Sequence, residues 1–218
     1  MRRIVLLALA LPFTLLTTKA AAQTCVGMPA FSSGPMQVAA GAGFTDGGTS
    51  FLGTFGYGKP KNFYGKAGLG TTSYDGLNGS SLDLSLGGGY QVPLHAKRTA
   101  ELCPIANLSI GSGPNDVFGG TDFSSRTFSF GASVGGLVGH STQMQILPNA
   151  SFQFANTHST VDDGTIRASG SESYGLLTLG TGFVFNARYS LNPSIGIPVG
   201  LNGSSASVGL SGAINFGR

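Results

Sequence analysis

From Met36 onward the chain alternates. In Ser81–Val92, the residues Leu82, Leu84, Leu86, Tyr90 and Val92 fall on one side of an extended chain, and Asp83, Ser85, Gly87, Gly89 and Gln91 on the other. A period of two is the period of a β-strand, whose successive side chains point to opposite faces. The same alternation runs through Met36–Thr45, Phe51–Gly58, Phe63–Thr72, Ala100–Ile110, Thr127–Val138, Gln143–Phe154, Tyr174–Phe185, Ser190–Val199 and Ala206–Phe216. It predicts ten strands of roughly 8–12 residues, the length needed to cross a bilayer at a tilt.

The second face identifies the surroundings. In a soluble sandwich it would carry Lys, Glu and Arg; here it is mostly Gly, Ser, Thr, Asn and Gln. That is the composition of a confined polar lumen, with the apolar face turned to lipid. Lipid offers no partners for backbone N–H and C=O, so strands can cross it only as a closed sheet. The expected fold is all-β, a closed antiparallel up-and-down transmembrane β-barrel of ten strands, with eight as the alternative.

The connections and charges sort by side. With the N-terminus periplasmic, Lys59–Asn62, Pro93–Arg98, Gly139–Thr142 and Asn186–Arg188 become short periplasmic turns. Asp46–Thr49, Ser73–Ser80, Gly111–Arg126, Asn156–Ser173 and Gly200–Ser205 become outer loops, the two longest among them. Lys59, Lys61, Lys97, Arg98, Arg188 and Arg218 then lie on the periplasmic side. Asp46, Asp75, Asp116, Asp122, Asp162, Asp163 and Glu172 lie outside, with Arg126 and Arg167. Pro60, Pro104, Pro148 and Pro193 recur at intervals of 44, 44 and 45 residues near the start of outward-running strands, so the repeating unit is a hairpin. Proline cannot donate to a ladder, which assigns these residues to strand starts or bulges. Pro198 does not fit that scheme.

The first residues differ from the rest. Met1-Arg2-Arg3 precedes an apolar run from Ile4 to Leu16, and Ala20-Ala21-Ala22 closes the segment. A basic stretch, a short apolar stretch and an A-x-A site predict a secretory signal peptide over 1–22. Residues 23–34 then form a periplasmic N-terminal segment, and 35–218 the barrel. The full chain has 12 basic and 9 acidic residues, and Arg2, Arg3 and Lys19 leave with the leader, so the remainder is balanced at nine of each. The basic excess is therefore no argument for nucleic acid. Charged residues make up only 10% of the chain, against about 25% in soluble domains. After the leader no apolar run is long enough for a spanning helix.

Few residues promise chemistry. Cys25 and Cys103 are the two cysteines. In an exported protein they can form a disulfide that ties the N-terminal segment, with Val26, Met28 and Phe31, against or inside the periplasmic mouth; two unpaired thiols are the alternative. The lumen face carries sparse charge in Lys66, Asp83 and Glu101, near Tyr64. These suit either a selectivity constriction or an internal salt-bridge network filling a narrow barrel. The histidines are His95, His140 and His158, and only His158, near Ser159, Asp162 and Asp163, falls outside. No nucleophile–base–orienter set is positioned, so catalysis is not expected. Asp162-Asp163-Gly164 and Asn115-Asp116 lack the spacing of a calcium loop, and neither a phosphate loop nor a zinc-spaced Cys/His set occurs. No cofactor and no metal are expected. Aromatic residues suit two girdles: Phe44, Phe51, Phe128, Phe152, Phe154 and Tyr174 near the outer ends, and Tyr57, Phe63, Tyr90, Phe183, Phe185, Tyr189 and Phe216 near the periplasmic ends.

With its export signal, Gly-rich alternating strands and C-terminal strand, the chain resembles the small outer-membrane β-barrel proteins of diderm bacteria, the OmpA/OmpX/OmpW-like group, from about Pro35 onward. In Ala206–Arg218, Val208, Leu210, Ile214 and Phe216 share one face. This looks like the aromatic-ended signal read by the barrel assembly machinery in that family, although Gly217-Arg218 follow the aromatic here. The resemblance implies residence in the bacterial outer membrane, with outer-membrane lipid and the assembly machinery as partners and an extracellular ligand unassigned. The function expected is a non-enzymatic structural or surface-interaction role. A narrow channel for small solutes is the second reading and a lipid-modifying barrel enzyme the third.

Overall fold

A computed structural model of the chain describes Cys25 and residues 35–58, 63–75, 79–94, 100–113, 122–140, 143–162, 164, 166–186, 188–201 and 205–216. The expected signal peptide, Val26, Met28, Phe31, the turn Lys59–Asn62, His95, Lys97, Arg98, Asp116, Asp163, Arg218 and the side chain of His140 lie outside the described residues.

Ten long strands follow in order: β1 (Met36–Thr45), β2 (Gly48–Gly58), β3 (Phe63–Tyr74), β4 (Ser80–Tyr90), β5 (Ala100–Ser112), β6 (Asp122–Gly136), β7 (Met144–Asp162), β8 (Arg167–Phe185), β9 (Tyr189–Val199) and β10 (Ser207–Phe216). Each pairs antiparallel with the next, and β10 pairs with β1, from Met36↔Phe216 to Phe44↔Val208. The sheet is therefore closed, which leaves no edge around its circumference at membrane height.

Register fixes the tilt. A circuit from Tyr189 passes through Ile214, Val38, Phe55, Ala67, Leu86, Leu108, Phe128 and Asn156 to Ser173. Ser173 stands two residues beyond Gly175, the partner of Val199. One turn around the barrel thus advances twelve residues from the starting point on β9. A stagger of this size inclines the strands by roughly 40° to the axis.

Alternation works as expected. Leu82, Leu84 and Leu86 of β4 are exposed, while Ser81 and Gln91 on the other face are buried. Phe44, Phe51, Phe55, Phe128, Phe130, Phe152 and Phe154 are likewise exposed on the outer face. In water such a surface would be a large aggregation-prone patch; against acyl chains it is matched. Tyr174 departs from the expected outer girdle. It pairs with Ala155, which is buried on the lumen face, and so points inward.

The prolines act on the ladders. The β4–β5 ladder runs from Leu82↔Ser112 to Gly89↔Ile105 and resumes in a two-residue continuation of β4 at Val92↔Leu102, leaving out the positions beside Pro104. The β8–β9 ladder likewise skips from Gly180↔Ser194 to Phe183↔Leu191, around Pro193. The β6–β7 ladder ends at Gly135↔Asn149, next to Pro148, and Gly139–His140 then pair with β7 one residue out of register. Each of these prolines lies inside a strand rather than at its start, and each interrupts one ladder because it has no N–H to give. Pro198 sits within the β8–β9 ladder opposite Leu176.

In the segments 111–126 and 156–173, expected as outer loops, the residues 111–112, 122–126, 156–162 and 167–173 are corrected to strand, and 114–121 lie outside the described residues. β5 runs to Ser112, β6 starts at Asp122, and β7 and β8 each span 19 residues. Above the lipid both faces are mostly polar: Ser124, Arg126, Asn156, His158 and Thr160 face out, and Ser125, Thr127, Thr157 and Ser159 face in, with the pair Phe123 and Val161 near the tip. Without an apolar stripe the period of two is invisible in the sequence although the backbone remains extended. β6, β7 and β8 therefore stand as a sheet above the rim. At the opposite end, where β1 begins and β10 ends, the β8–β9 turn is tight, with Asn186 in the left-handed region at φ 51°.

Candidate functional site

The end of the barrel where β1 begins and β10 ends is packed. Cys25 and Cys103 form a disulfide, with Cα atoms 5.6 Å apart and 78 residues between them. Cys103 points into the lumen from β5 and is fully buried; Cys25 is 2% exposed and clusters with Tyr64, Cys103 and Ile105, all lumen-facing. The expected pair is thus formed, and it brings an N-terminal residue inside the barrel. Around it the lumen-facing Gln91, Glu101, Ser133, Ser190, Asn192, Ala213 and Asn215 are buried. Leu147 and Val184 make a second buried contact, with Leu137 packed against them. Polar pairs cross the wall at this level: Gln37 Nε2 of β1 donates to Asn215 Oδ1 of the neighbouring β10 at 2.9 Å, and Asn149 Nδ2 of β7 reaches over Gly180 of β8 to Asn192 Oδ1 of β9 at 3.4 Å.

Toward the other end, the distal end, the lumen is lined by small polar residues that remain partly accessible: Ser50, Thr72, Asp83, Ser109, Ser125, Thr127 and Thr157. The expected lumen charges occupy three levels on this wall. Glu101 lies buried beside the disulfide. Lys66 is opposite Gly87, further up, and exposed to the lumen. Asp83 is opposite Gly70, nearer the distal mouth, where its Oδ2 accepts from Thr72 Oγ1 and Ser81 Oγ, each at 3.2 Å. Neither Lys66 nor Asp83 makes an ion pair among the described residues, so no salt bridge links these two.

Sequence reading missed the groups that surround Lys66. A side chain at Gly87 would run into Asn107 Oδ1 and Lys66 Cε, so these two converge over the glycine. Asn107 Nδ2 donates to Gln153 Oε1 at 2.9 Å, and Ser129 Oγ to the same oxygen at 3.2 Å. Thr127 and Thr157 share a 2.8 Å hydrogen bond one step further toward the distal end. The signal was available: Asn107 continues the lumen side of Glu101, Cys103 and Ile105. The arrangement is a hydrophilic half-lumen with one ammonium group on its wall, above the buried side chains around the disulfide.

His158 points outward at the distal rim. Its Nδ1 lies 2.9 Å from Ser171 Oγ, across the β7–β8 ladder. A serine against an imidazole is two-thirds of a nucleophile–base–orienter set. Ser159, the neighbour expected to matter, points to the other face, and Asp162 is four residues along β7, opposite Arg167. No carboxylate holds the imidazole among the described residues, and no group of three or more His, Cys, Asp or Glu that could hold a metal occurs among them.

No protein-family model matches the chain, and no curated protein does. Solved structures do. The β domain of the Bordetella autotransporter Brka matches with a TM-score of 0.55 at 11% identity, over 83% of this chain and 98% of that one. The N-terminal β-barrel domain of Pseudomonas aeruginosa OprF matches with a TM-score of 0.39 at 12% identity, over 83% and 96%. LpxR from Salmonella typhimurium gives 0.41 at 7%, over 83% and 100%. At such identities the likeness concerns the fold. The closed antiparallel ten-stranded barrel with an apolar exterior found here shares its fold with that Bordetella autotransporter domain, a fold used by bacterial outer-membrane β-barrels.

Proposed function

We propose that this is a non-enzymatic barrel with a structural and surface role, whose lumen is a cup open at the distal end and closed at the other. The end where β1 begins and β10 ends is periplasmic and the β6–β7–β8 sheet stands outside. Phe216, on the lipid face of β10, is the residue read by the barrel assembly machinery. The observation that carries the reading is Cys25, buried in the lumen and bonded to Cys103. A tie placed there, among buried side chains, favours a body that does not conduct.

The narrow-channel reading draws on one observation, the Lys66 ammonium on the lumen wall with no ion-pair partner among the described residues. Both readings meet in one measurement, single-channel recording of the folded, oxidised protein in planar bilayers before and after dithiothreitol. The cup predicts no steady conductance in the oxidised state. Stable ohmic steps from oxidised protein would replace it with the channel.

A further inference from the structure

Among the described residues, the basic groups at the distal end are Arg126 and Arg167, and both point outward from the same three-stranded sheet. Arg126 stands at a particular height. Its partners across the ladders are Ile110 of β5 and His158 of β7. The next outward position on its own strand toward the membrane is Phe128, followed by Phe130. Phe128 and Phe130 have ring centroids 6.0 Å apart, and Phe130 and Phe154 5.7 Å. These three rings and Ile110 are 43–51% exposed. The guanidinium therefore marks the step from apolar to polar exterior, one strand repeat of roughly 7 Å above an aromatic patch.

Among the described residues no neighbouring group neutralises this charge. The flanking outward residues are Ser124 and Phe128 on β6, Ser112 and Leu108 on β5, and Thr160 and Asn156 on β7, and Arg126 makes no ion pair among the described residues. The nearest carboxylates on this face, Asp122 and Asp162, pair with each other's strand at the tip, beside Arg167. His158, the partner of Arg126 across the β6–β7 ladder, has its Nδ1 engaged by Ser171, which leaves Nε2 as the ring nitrogen not used in that contact.

An uncompensated guanidinium with an imidazole at its side suits a phosphate, which Arg can bind in a forked, two-point fashion. Below it, exposed rings suit acyl chains. We propose that the outer face of β6–β8 seats a phosphorylated glycolipid of the outer leaflet, with Arg126 and His158 on the phosphate and the chains against Phe128, Phe130 and Phe154. The seat rests on the orientation proposed above, distal end outward.

The test uses folded protein reconstituted in vesicles of phosphatidylethanolamine with lipid A, or with lipid A stripped of its phosphates, released for native mass spectrometry. Wild type is expected to retain the phosphorylated lipid about tenfold more than the stripped one, the effect of one charge-assisted pair. Arg126→Gln should erase that preference and His158→Gln reduce it. Arg188→Gln, at the opposite end, should leave it intact. An undiminished preference in Arg126→Gln overturns the proposal, as does an equal loss in Arg188→Gln, which would mark a general charge effect. Unaltered migration of unboiled samples on gels keeps misfolding apart from lost binding. Maleimide labelling of Ser169→Cys on intact cells tests the orientation separately.

Discussion

Cys25 and Cys103, 78 residues apart in the chain, are joined on the inner wall of the barrel and excluded from water. The bond closes a loop that includes β1 to β4, and in the chain-entropy account a loop of this length stabilises the folded state by about 4–5 kcal/mol. Cys103→Ser should therefore lower the urea midpoint of vesicle-inserted protein and leave its strand content unchanged by circular dichroism. Protein purified without reductant should show no free thiol until it is unfolded and reduced. An equal midpoint in wild type and variant would mean that the tie positions Cys25 without stabilising the barrel.

Close approach of strands makes a second, local demand. A Cβ on Gly131 of β6 would meet the Phe152 carbonyl oxygen and Gln153 Cα of β7, both backbone. Backbone cannot move aside as a side-chain tip can, so Gly131→Ala should destabilise by about 1–3 kcal/mol. Gly170, exposed on β8 above the rim, has nothing within 4 Å of the same position. Gly170→Ala should stay within about 0.5 kcal/mol of wild type. Urea titration of the two variants side by side checks the pair.

Where lipid touched one face, the sequence carried the fold. The run Leu82, Leu84, Leu86 against Asp83, Ser85, Gly87 placed the start of β4 to within one residue and its end to within two, because an apolar exterior and a polar lumen impose a period of two. Above the rim that contrast vanishes. Ser124 and Ser125 face opposite sides but differ in nothing visible, so the upper parts of β6, β7 and β8 read as loop. Tyr174 was misplaced for a related reason: an aromatic near a rim suits a girdle, and only the pairing with Ala155 shows that it points inward. The disulfide was legible from cysteine number and compartment. The Lys66–Asn107–Gln153 arrangement was not, because it depends on which strands lie side by side and on Gly87 leaving room between them.

Lys66 gives a third expectation, conditional on an open lumen. In Cys25→Ser/Cys103→Ser protein any conducting path runs past its ammonium, which has no ion-pair partner among the described residues. A unit charge about 4 Å from a permeating ion contributes about 1 kcal/mol in water, roughly a fivefold bias in favour of anions. Lys66→Gln in that background should remove most of this bias, measured as a shift in reversal potential under a salt gradient. Asp83→Asn should shift it in the opposite direction. Identical reversal potentials would place the conducting path elsewhere.

The assignment of the two faces can be tested on adjacent residues. Leu84 is 50% exposed on the outer face near the middle of β4, and Ser85 points to the lumen beside Gly68, where a Cβ would meet its hydroxyl. An Arg on the lipid face near mid-bilayer costs about 2–4 kcal/mol, because its charge must leave water or drag water with it. Toward a hydrated lumen the same side chain keeps its solvation and meets only the cost of fitting among small neighbours. Leu84→Arg should therefore lower the urea midpoint markedly and slow insertion into vesicles, and Ser85→Arg should lower it less. The reverse order would exchange the two faces, and a barrel with its apolar side inward would have to be a water-soluble one.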